Sequence, residues 1–277
     1  MKLTFATPEK WQAAVGFGCA TQRFAGSWSD PAVCEKDLRG TVLTGTYESI
    51  LEEAKKLQKA DVAVVVFGNA GGENAFLRRL QNILNCPMVG GGAAFTHTTG
   101  LVTGNGQAAV FVVDDDRYTF ETETQCVHEE LVEECALELA DERTILTING
   151  QDAATYLKEK KALYGIPETD FEHMTLTDKL GVNAHLSLAD GVVKSGRDLE
   201  KVMDLRRVPH EKVTQMAKAF YDDEDAIVFG CAGLGGILDE IPNTPSLGLF
   251  LFGEVCTVDG KAEFGNLMLS KLRIKLR

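Results

Sequence analysis

The chain has 277 residues, of which 44% are hydrophobic and 25% are charged. This composition is that of a folded globular protein and excludes a disordered chain. The formal net charge of −13 argues against nucleic-acid binding, because phosphate recognition depends on an excess of lysine and arginine. No apolar run reaches the length of a membrane helix, and the first ten residues lack the apolar segment of a signal peptide. We therefore expect no contact with nucleic acid or membrane, and a cytoplasmic location.

The cysteines and histidines give little sign of redox or metal chemistry. The seven cysteines are odd in number and include no C-x-x-C pair, which favours a reduced compartment in which most thiols are small core residues. The five histidines show no metal-binding spacing, so we predict no metal site and assign no cofactor. We expect four of them, which sit among charged residues, at the surface: His128, His173, His185 and His210.

The first half of the chain predicts alternating helices and strands. An apolar stripe at helical spacing predicts a helix over 46–59. The β-branched run Val62–Phe67 predicts a strand buried on both faces, and it runs into a glycine-bearing loop at 68–72. The next predicted elements are a helix at 73–84, a short strand entering three glycines at 90–92, and strands at 108–113 and 118–126.

The second half begins with an ambiguous segment. Residues 129–140 have a composition that would also suit a helix, but the apolar alternation on both sides of Asp141–Arg143 favours a hairpin ending near residue 148. Residues 165–200 are polar and turn-rich. The other predicted elements are helices at 151–163 and 209–221, strands at 226–229, 247–252 and 267–274, and a glycine loop at 230–236.

One short pattern occurs twice. Val-Phe-Gly-x-Ala-Gly stands at 66–71 and again at 228–233, each time after an amphipathic helix and an aspartate. We therefore predict two related sub-units, covering 1–125 and 126–277. The predicted fold class is α/β (α+β), with two related mixed β-sheet sub-units packed together, helices outside, and a pseudo-two-fold relation between them.

Three glycine loops follow predicted strands, at 68–72, 90–92 and 230–236. Glycine lets a ligand approach the main chain closely, and free N–H groups in such loops can bind anions. Tight turns without a ligand are the alternative interpretation, because glycine is the usual turn residue. Neither a dinucleotide fingerprint nor a Walker phosphate loop is present.

Three side chains near these loops could carry chemistry. His97 follows the triple glycine on a threonine-rich loop, where a solvated histidine is the alternative. Cys231 lies beside glycines, but a nucleophilic cysteine needs a nearby base, and an inert core thiol is the alternative. Glu254 follows an apolar run and Gly253, which suits either a ligand anchor or a surface hairpin residue.

Several segments of the chain resemble segments of the FIST family and occur in the same order as in that family. The closing stretch 248–260 with 263–269 resembles that family's final strands around a Gly-Glu-Val motif. The other similar segments are 60–67, 88–93, 144–153 and 228–233. In two places the sequence departs from the family: Gly265 replaces the histidine of a His-Asn pair whose asparagine is Asn266, and Leu234 replaces an arginine.

The resemblance implies an intracellular sensory, signal-transduction module rather than an enzyme. FIST proteins are regarded as binding small ligands, with amino acids a proposed class, so we expect a small-molecule ligand and a signalling partner protein. The expected ligand site has backbone amides for a carboxylate group and Glu254 for an amine. Two alternatives stay open: an enzyme in which Cys231 or Glu254 is the reactive group, and a haem-binding sensor that uses His97. The expected ligand-binding residues are Gly91, Gly92, His97, Cys231, Gly233, Glu254 and Asn266.

Overall fold

A computed structural model describes residues 2–6, 33–68, 71–93, 106–223, 226–234, 247–251 and 253–277. Within these ranges the protein has a mixed α+β fold in which several sheets pack together with helices, as the sequence predicts. The predicted site residue His97 and part of the glycine loop 230–236 lie outside the described residues.

The described residues of the first part of the chain fold into strands and two helices. The first helix begins after Thr46, whose hydroxyl accepts a hydrogen bond from the Ser49 N–H. It ends at Ala54, earlier than predicted, because a turn with i→i+3 hydrogen bonds follows it at Lys56 and Leu57. The elements are β1 (Lys2–Ala6), β2 (Val33–Asp37), β3 (Gly40–Thr46), α1 (Tyr47–Ala54), β4 (Val62–Gly68), α2 (Glu73–Leu84), β5 (Met88–Ala93), β6 (Gln107–Val113) and β7 (Tyr118–Cys126).

The middle of the chain forms a sheet of its own. The favoured hairpin is confirmed, and the turn-rich stretch 165–200 contains strands that the sequence did not predict, because segments of two to four residues are too short to show a periodicity. The elements are β8 (Glu130–Asp141), β9 (Thr144–Ile148), β10 (Gln151–Asp152), α3 (Ala153–Leu163), β11 (Met174–Thr177), β12 (Asn183–Ala184), β13 (Leu186–Ala189), β14 (Val192–Ser195) and β15 (Val202–Arg207).

The last part of the chain returns to the pattern of the first. A 3₁₀ turn at Ala232–Leu234 follows its central strand. The elements are α4 (His210–Tyr221), β16 (Ala226–Cys231), β17 (Leu247–Leu251), β18 (Glu254–Val258), β19 (Lys261–Gly265) and β20 (Met268–Leu276).

The repeated sequence pattern corresponds to a repeated sheet topology. One sheet contains the order β5-β4-β6-β3, and another has the order β17-β16-β20-β7. In each, the central strand carrying the repeated pattern is parallel to the strand that follows it and antiparallel to its other neighbour. The β18–β19 hairpin from the C-terminal part extends the first sheet beyond β5, so the two sheets exchange chain segments.

Alternation along β4 distributes its side chains between two cores. Ala63, Val65 and Phe67 pack with α1 and α2 in one core. Val62 and Val64 face the other way and share a core with residues of β16, β20 and α4. The layers are therefore helices, sheet, sheet and helix, and a strand with both faces covered explains the uninterrupted apolar run at 62–67.

The sheet in the middle of the chain has a separate core. Its strand order is β12-β11-β15-β8-β9-β14-β13, and α3 packs on one face through Tyr156 and Leu157. This unit is inserted between β7 and α4. The predicted boundary between residues 125 and 126 falls at the end of β7, which pairs along its length with β20.

Candidate functional site

The glycine-rich strand end of β5 meets the first residue of β18. Gly91 pairs with Glu254 across the two strands, and the Gly92 N–H donates to the Gly253 carbonyl at 3.1 Å. Gly253 has φ +85°, and a Cβ there would lie 2.4 Å from the Phe264 ring, so only glycine fits. The amide of Gly92 is occupied by this bond, which corrects the expectation that it would hold a ligand carboxylate.

Glu254 is a fully buried carboxyl group with incomplete hydrogen bonding. Its exposed fraction is 0%, which excludes the surface-hairpin interpretation. Oε2 accepts a hydrogen bond from the Met268 N–H at 3.2 Å, whereas Oε1 has no hydrogen-bond partner among the described residues. Burial raises the pKa of Glu254 well above its usual range, and the hydrogen bonds to the group do not offset it. Burial therefore favours the protonated form of this carboxyl group.

Cys231, at the end of β16, lies against this carboxyl. The thiol is buried, and burial together with the Glu254 carboxyl raises its pKa above the usual range. A protonated thiol is a poor nucleophile. The arrangement favours the inert core thiol over the reactive cysteine.

Gly233 lies between Cys231 and a histidine that the sequence analysis placed at the surface. A Cβ on Gly233 would be 3.5 Å from Cys231 Sγ and 3.6 Å from His185 Cδ2. His185 is half-buried, and burial, followed by the charge of Lys161, lowers the pKa of its imidazole. Nothing in the sequence marks His185 as a site residue, because this residue reaches the site from the inserted sheet, the sheet of strands β8–β15 in the middle of the chain.

Asn266 connects the site to the inserted sheet through two hydrogen bonds. Its Oδ1 accepts a hydrogen bond from the His185 N–H at 3.2 Å, and its own N–H donates to the Asn183 carbonyl at 2.9 Å. The side chain packs against Gly196 and Gly253, where a Cβ would come within 2.6 Å of its amide. These contacts to backbone make Asn266 a positioning residue at the rim of the site.

Gly265, the neighbour of Asn266, lies in a closely packed corner of the site. A Cβ on Gly265 would lie 2.7 Å from both Met268 Sδ and Val182 Cγ1. A larger residue at this position would require the Met268 and Val182 side chains to move.

Beneath the site lies a buried hydrogen-bond network that includes His128. Asn183 Nδ2 donates to His128 Nδ1 at 2.9 Å and to the Leu267 carbonyl at 3.1 Å. His128 Nε2 donates to the Glu172 carbonyl at 2.6 Å. His128 is 1% exposed, which corrects its expected surface position. The network connects the inserted sheet to the turn before β20.

His128 makes the protein sensitive to acid. Burial lowers the pKa of its imidazole to about 4, so the folded state keeps it neutral while the unfolded chain, with a pKa near 6.5, takes up a proton. We expect its contribution to the free energy of unfolding to be complete above about pH 6.5 and to fall by about 3 kcal/mol as the pH drops to about 4.

Urea unfolding at several pH values between 7 and 4 measures the contribution of His128. This contribution is the difference in free energy of unfolding between wild type and His128→Gln. The variant is expected to be less stable at pH 7 and to lose less stability on acidification. NMR titration of the imidazole gives the same information without a variant. An imidazole that titrates above pH 6 would contradict the expectation.

Together these contacts define a class of site: a buried carboxyl group with a raised pKa at a glycine-lined junction between two sheets, with a buried thiol and a histidine nearby. Of the predicted residues, His97 lies outside the described ranges, and the others come together here. No protein-family model matches the chain, and a search of curated proteins finds no match. In the described part of the chain, no group of three or more side chains is arranged to hold a metal ion, and no helix combines the length and hydrophobicity of a membrane span.

Proposed function

We propose that this protein is a small-ligand-binding sensory module of the FIST type, acting in the cytosol and passing its signal to a partner protein. The observation that carries the proposal is the buried Glu254 carboxyl, whose Oε1 has no hydrogen-bond partner among the described residues. The ordered sequence resemblance supports the family, and the free state of the cysteines that the structure describes is compatible with the cytosol.

The chemical class of the ligand can be inferred from the absence of a positively charged partner for Glu254 among the described residues. The Cys231 thiol is a side-chain hydrogen-bond partner of this carboxyl, but no lysine, arginine or histidine of the described residues forms an ion pair with it. Burial is the main influence on its pKa. A buried polar atom without a partner costs about 1–3 kcal/mol. A ligand ammonium group placed at Oε1 would remove this cost by forming a charge-assisted hydrogen bond. An amino-acid-like ligand, with its amine at Glu254, fits this requirement.

Binding of an amine at this position is linked to protonation. Burial favours the protonated form of free Glu254, whereas a ligand ammonium group favours the carboxylate. The carboxyl therefore releases a proton when the ligand binds. We expect affinity for the amine ligand to increase with pH over the range in which free Glu254 is still protonated.

The first experiment is a thermal-shift screen against the L-amino acids, simple amines and simple carboxylates, at pH 6 and pH 8. A ligand at about 100 times its dissociation constant adds roughly 2.7 kcal/mol of stability. We expect a stabilising amine-bearing compound whose effect is larger at pH 8 and disappears in Glu254→Gln, which keeps the shape of the neutral acid.

The matched control is Glu134→Gln, which changes an exposed glutamate on the outer face of the inserted sheet. This variant is expected to bind like the wild type. Stabilisation by carboxylates alone, or binding that survives in Glu254→Gln, would show that the amine does not sit at Glu254. A complete absence of stabilising compounds would contradict the sensory function itself.

A further inference from the structure

Two hydroxyl groups lie in the same inter-sheet region as Glu254. Ser270 on β20 is directly opposite Thr124 on β7 in an antiparallel pair, so the two side chains are cross-strand neighbours. Ser270 is 0% exposed, and Thr124 Oγ1 is buried as well. Neither hydroxyl has a hydrogen-bond partner among the described residues.

The strand pairing places these hydroxyls on the strand pair whose β20 member contacts the Glu254 carboxyl. Glu254 Oε2 bonds to the N–H of Met268, and Ser270 lies two residues further along β20 on the same face. Two residues of a strand span about 7 Å. Cys231 and Phe229 project from β16 toward the same region, since Phe229 is opposite Ser270.

Other buried threonine hydroxyls in the described part of the protein are hydrogen-bonded. Thr177 Oγ1 donates to Asn183 Oδ1 at 2.7 Å, and the Thr175 hydroxyl donates to the Ala184 carbonyl. Buried polar groups in folded proteins are nearly always hydrogen-bonded, and each exception calls for an explanation. Seven buried side-chain atoms of the described residues lack a hydrogen-bond partner, and three of them, Thr124 Oγ1, Ser270 Oγ and Glu254 Oε1, belong to strands that contact one another, β7, β20 and β18.

We propose that Thr124 and Ser270 determine ligand specificity by hydrogen-bonding a polar group of a ligand whose amine is held by Glu254. This inference rests on the proposed function. A serine or threonine hydroxyl offers one donor and two acceptor positions, which suits a carboxamide or hydroxyl group. The preferred ligand is therefore an amino acid with an uncharged polar side chain.

Stability without ligand gives the first test. The variants Thr124→Val and Ser270→Ala remove hydroxyls that are buried and unpaired, so each is expected to raise the melting temperature of the ligand-free protein. Thr177→Val is the matched control: it removes a hydroxyl that is hydrogen-bonded and is expected to lower the melting temperature. A lower melting temperature in both test variants would overturn the proposal, because their hydroxyls would then contribute to stability.

Ligand preference gives the second test, by isothermal titration of wild type and of the combined Thr124→Val, Ser270→Ala variant. The probes are L-asparagine, L-glutamine and L-leucine, the last being similar in shape to L-asparagine. We expect wild type to bind one of the two carboxamides at least about tenfold more tightly than leucine, because an apolar ligand would leave the hydroxyls unpaired. The variant is expected to lose this preference.

The outcomes separate this inference from the proposed function. Equal binding of carboxamides and leucine by wild type, or an unchanged preference in the variant, overturns the role of the hydroxyls and leaves the amine site at Glu254 intact. No binding of these probes, together with no amine-bearing hit in the thermal screen, overturns both.

Discussion

Replacing Gly90 with alanine is expected to destabilise the protein by about 3 kcal/mol or more. Gly90 lies in β5 opposite Val65 of β4, with φ +128°, and a Cβ at this position would come within 1.9 Å of the Val65 carbonyl oxygen. The obstructing atom belongs to the backbone of a central strand, so the clash can be relieved only by separating two paired strands. Urea unfolding measures the loss.

The control for this prediction is Gly260→Ala, in the β18–β19 turn of the same sheet. Gly260 also has a positive φ of +74°, but a Cβ there meets nothing within 4 Å. Its substitution therefore carries only the backbone penalty, about 1–2 kcal/mol. Equal losses in the two variants would mean that the close approach of β4 and β5 does not govern the effect. Because Gly91 pairs with Glu254, Gly90→Ala is also expected to weaken ligand binding.

Replacing Arg197 with methionine is expected to cost about 3–5 kcal/mol. Arg197 and Asp178 form an ion pair at 2.9 Å, and each side chain is only 3% exposed. Arg197 also donates to the Val182 carbonyl at 3.0 Å. Removing the guanidinium leaves the Asp178 carboxylate in the interior without its cation, and this uncompensated charge is the source of the loss.

A double-mutant cycle separates the ion pair from simple packing. Asp178→Asn keeps an acceptor for the N–H groups of Leu180 and Val182 but removes the charge. The combined Asp178→Asn, Arg197→Met variant is expected to be less destabilised than the sum of the single variants, since neither charge is then left unpaired. Additive losses would contradict this explanation.

An exposed pair supplies the reference for the same measurement. Glu52 on α1 and Lys55, directly after the helix, are paired at 2.6 Å, with 65% and 55% of their side chains exposed. Lys55→Met is expected to change the free energy of unfolding by less than about 1 kcal/mol, because solvent already screens the pair. The difference between the losses of unfolding free energy at positions 55 and 197 measures the effect of burial, because both substitutions remove one positive charge.

The candidate site illustrates what residue patterns can and cannot predict. Gly91, Cys231 and Glu254 each stand at a predicted strand end beside glycine, and the structure brings these distant positions into one junction. The raised pKa of Glu254 and the role of Asn266 as a positioning residue cannot be predicted from such patterns. Both depend on which neighbours surround a side chain, and those neighbours come from other parts of the chain.

His185, Thr124 and Ser270 had no signal of their own in the sequence. A lone histidine among polar residues and two hydroxyls on alternating strands are common features of exposed surfaces. Only the pairing of β7 with β20, and the packing of the inserted sheet against the turn at Asn266, make them buried or half-buried. The same pairing decides which hydroxyls remain without a partner.

The residue pattern is enough to predict the class of fold, the main strands and helices, and the duplicated pattern, because buried strands and amphipathic helices have characteristic periods and the repeated pattern marks equivalent strand ends. The insertion of a third sheet between β7 and α4 follows only from the packed structure, since its shortest strands gain their stability from pairing rather than from local pattern. The tertiary structure likewise buried Glu254 without a cation, because desolvation depends on the packing of two sheets and not on the identity of adjacent residues.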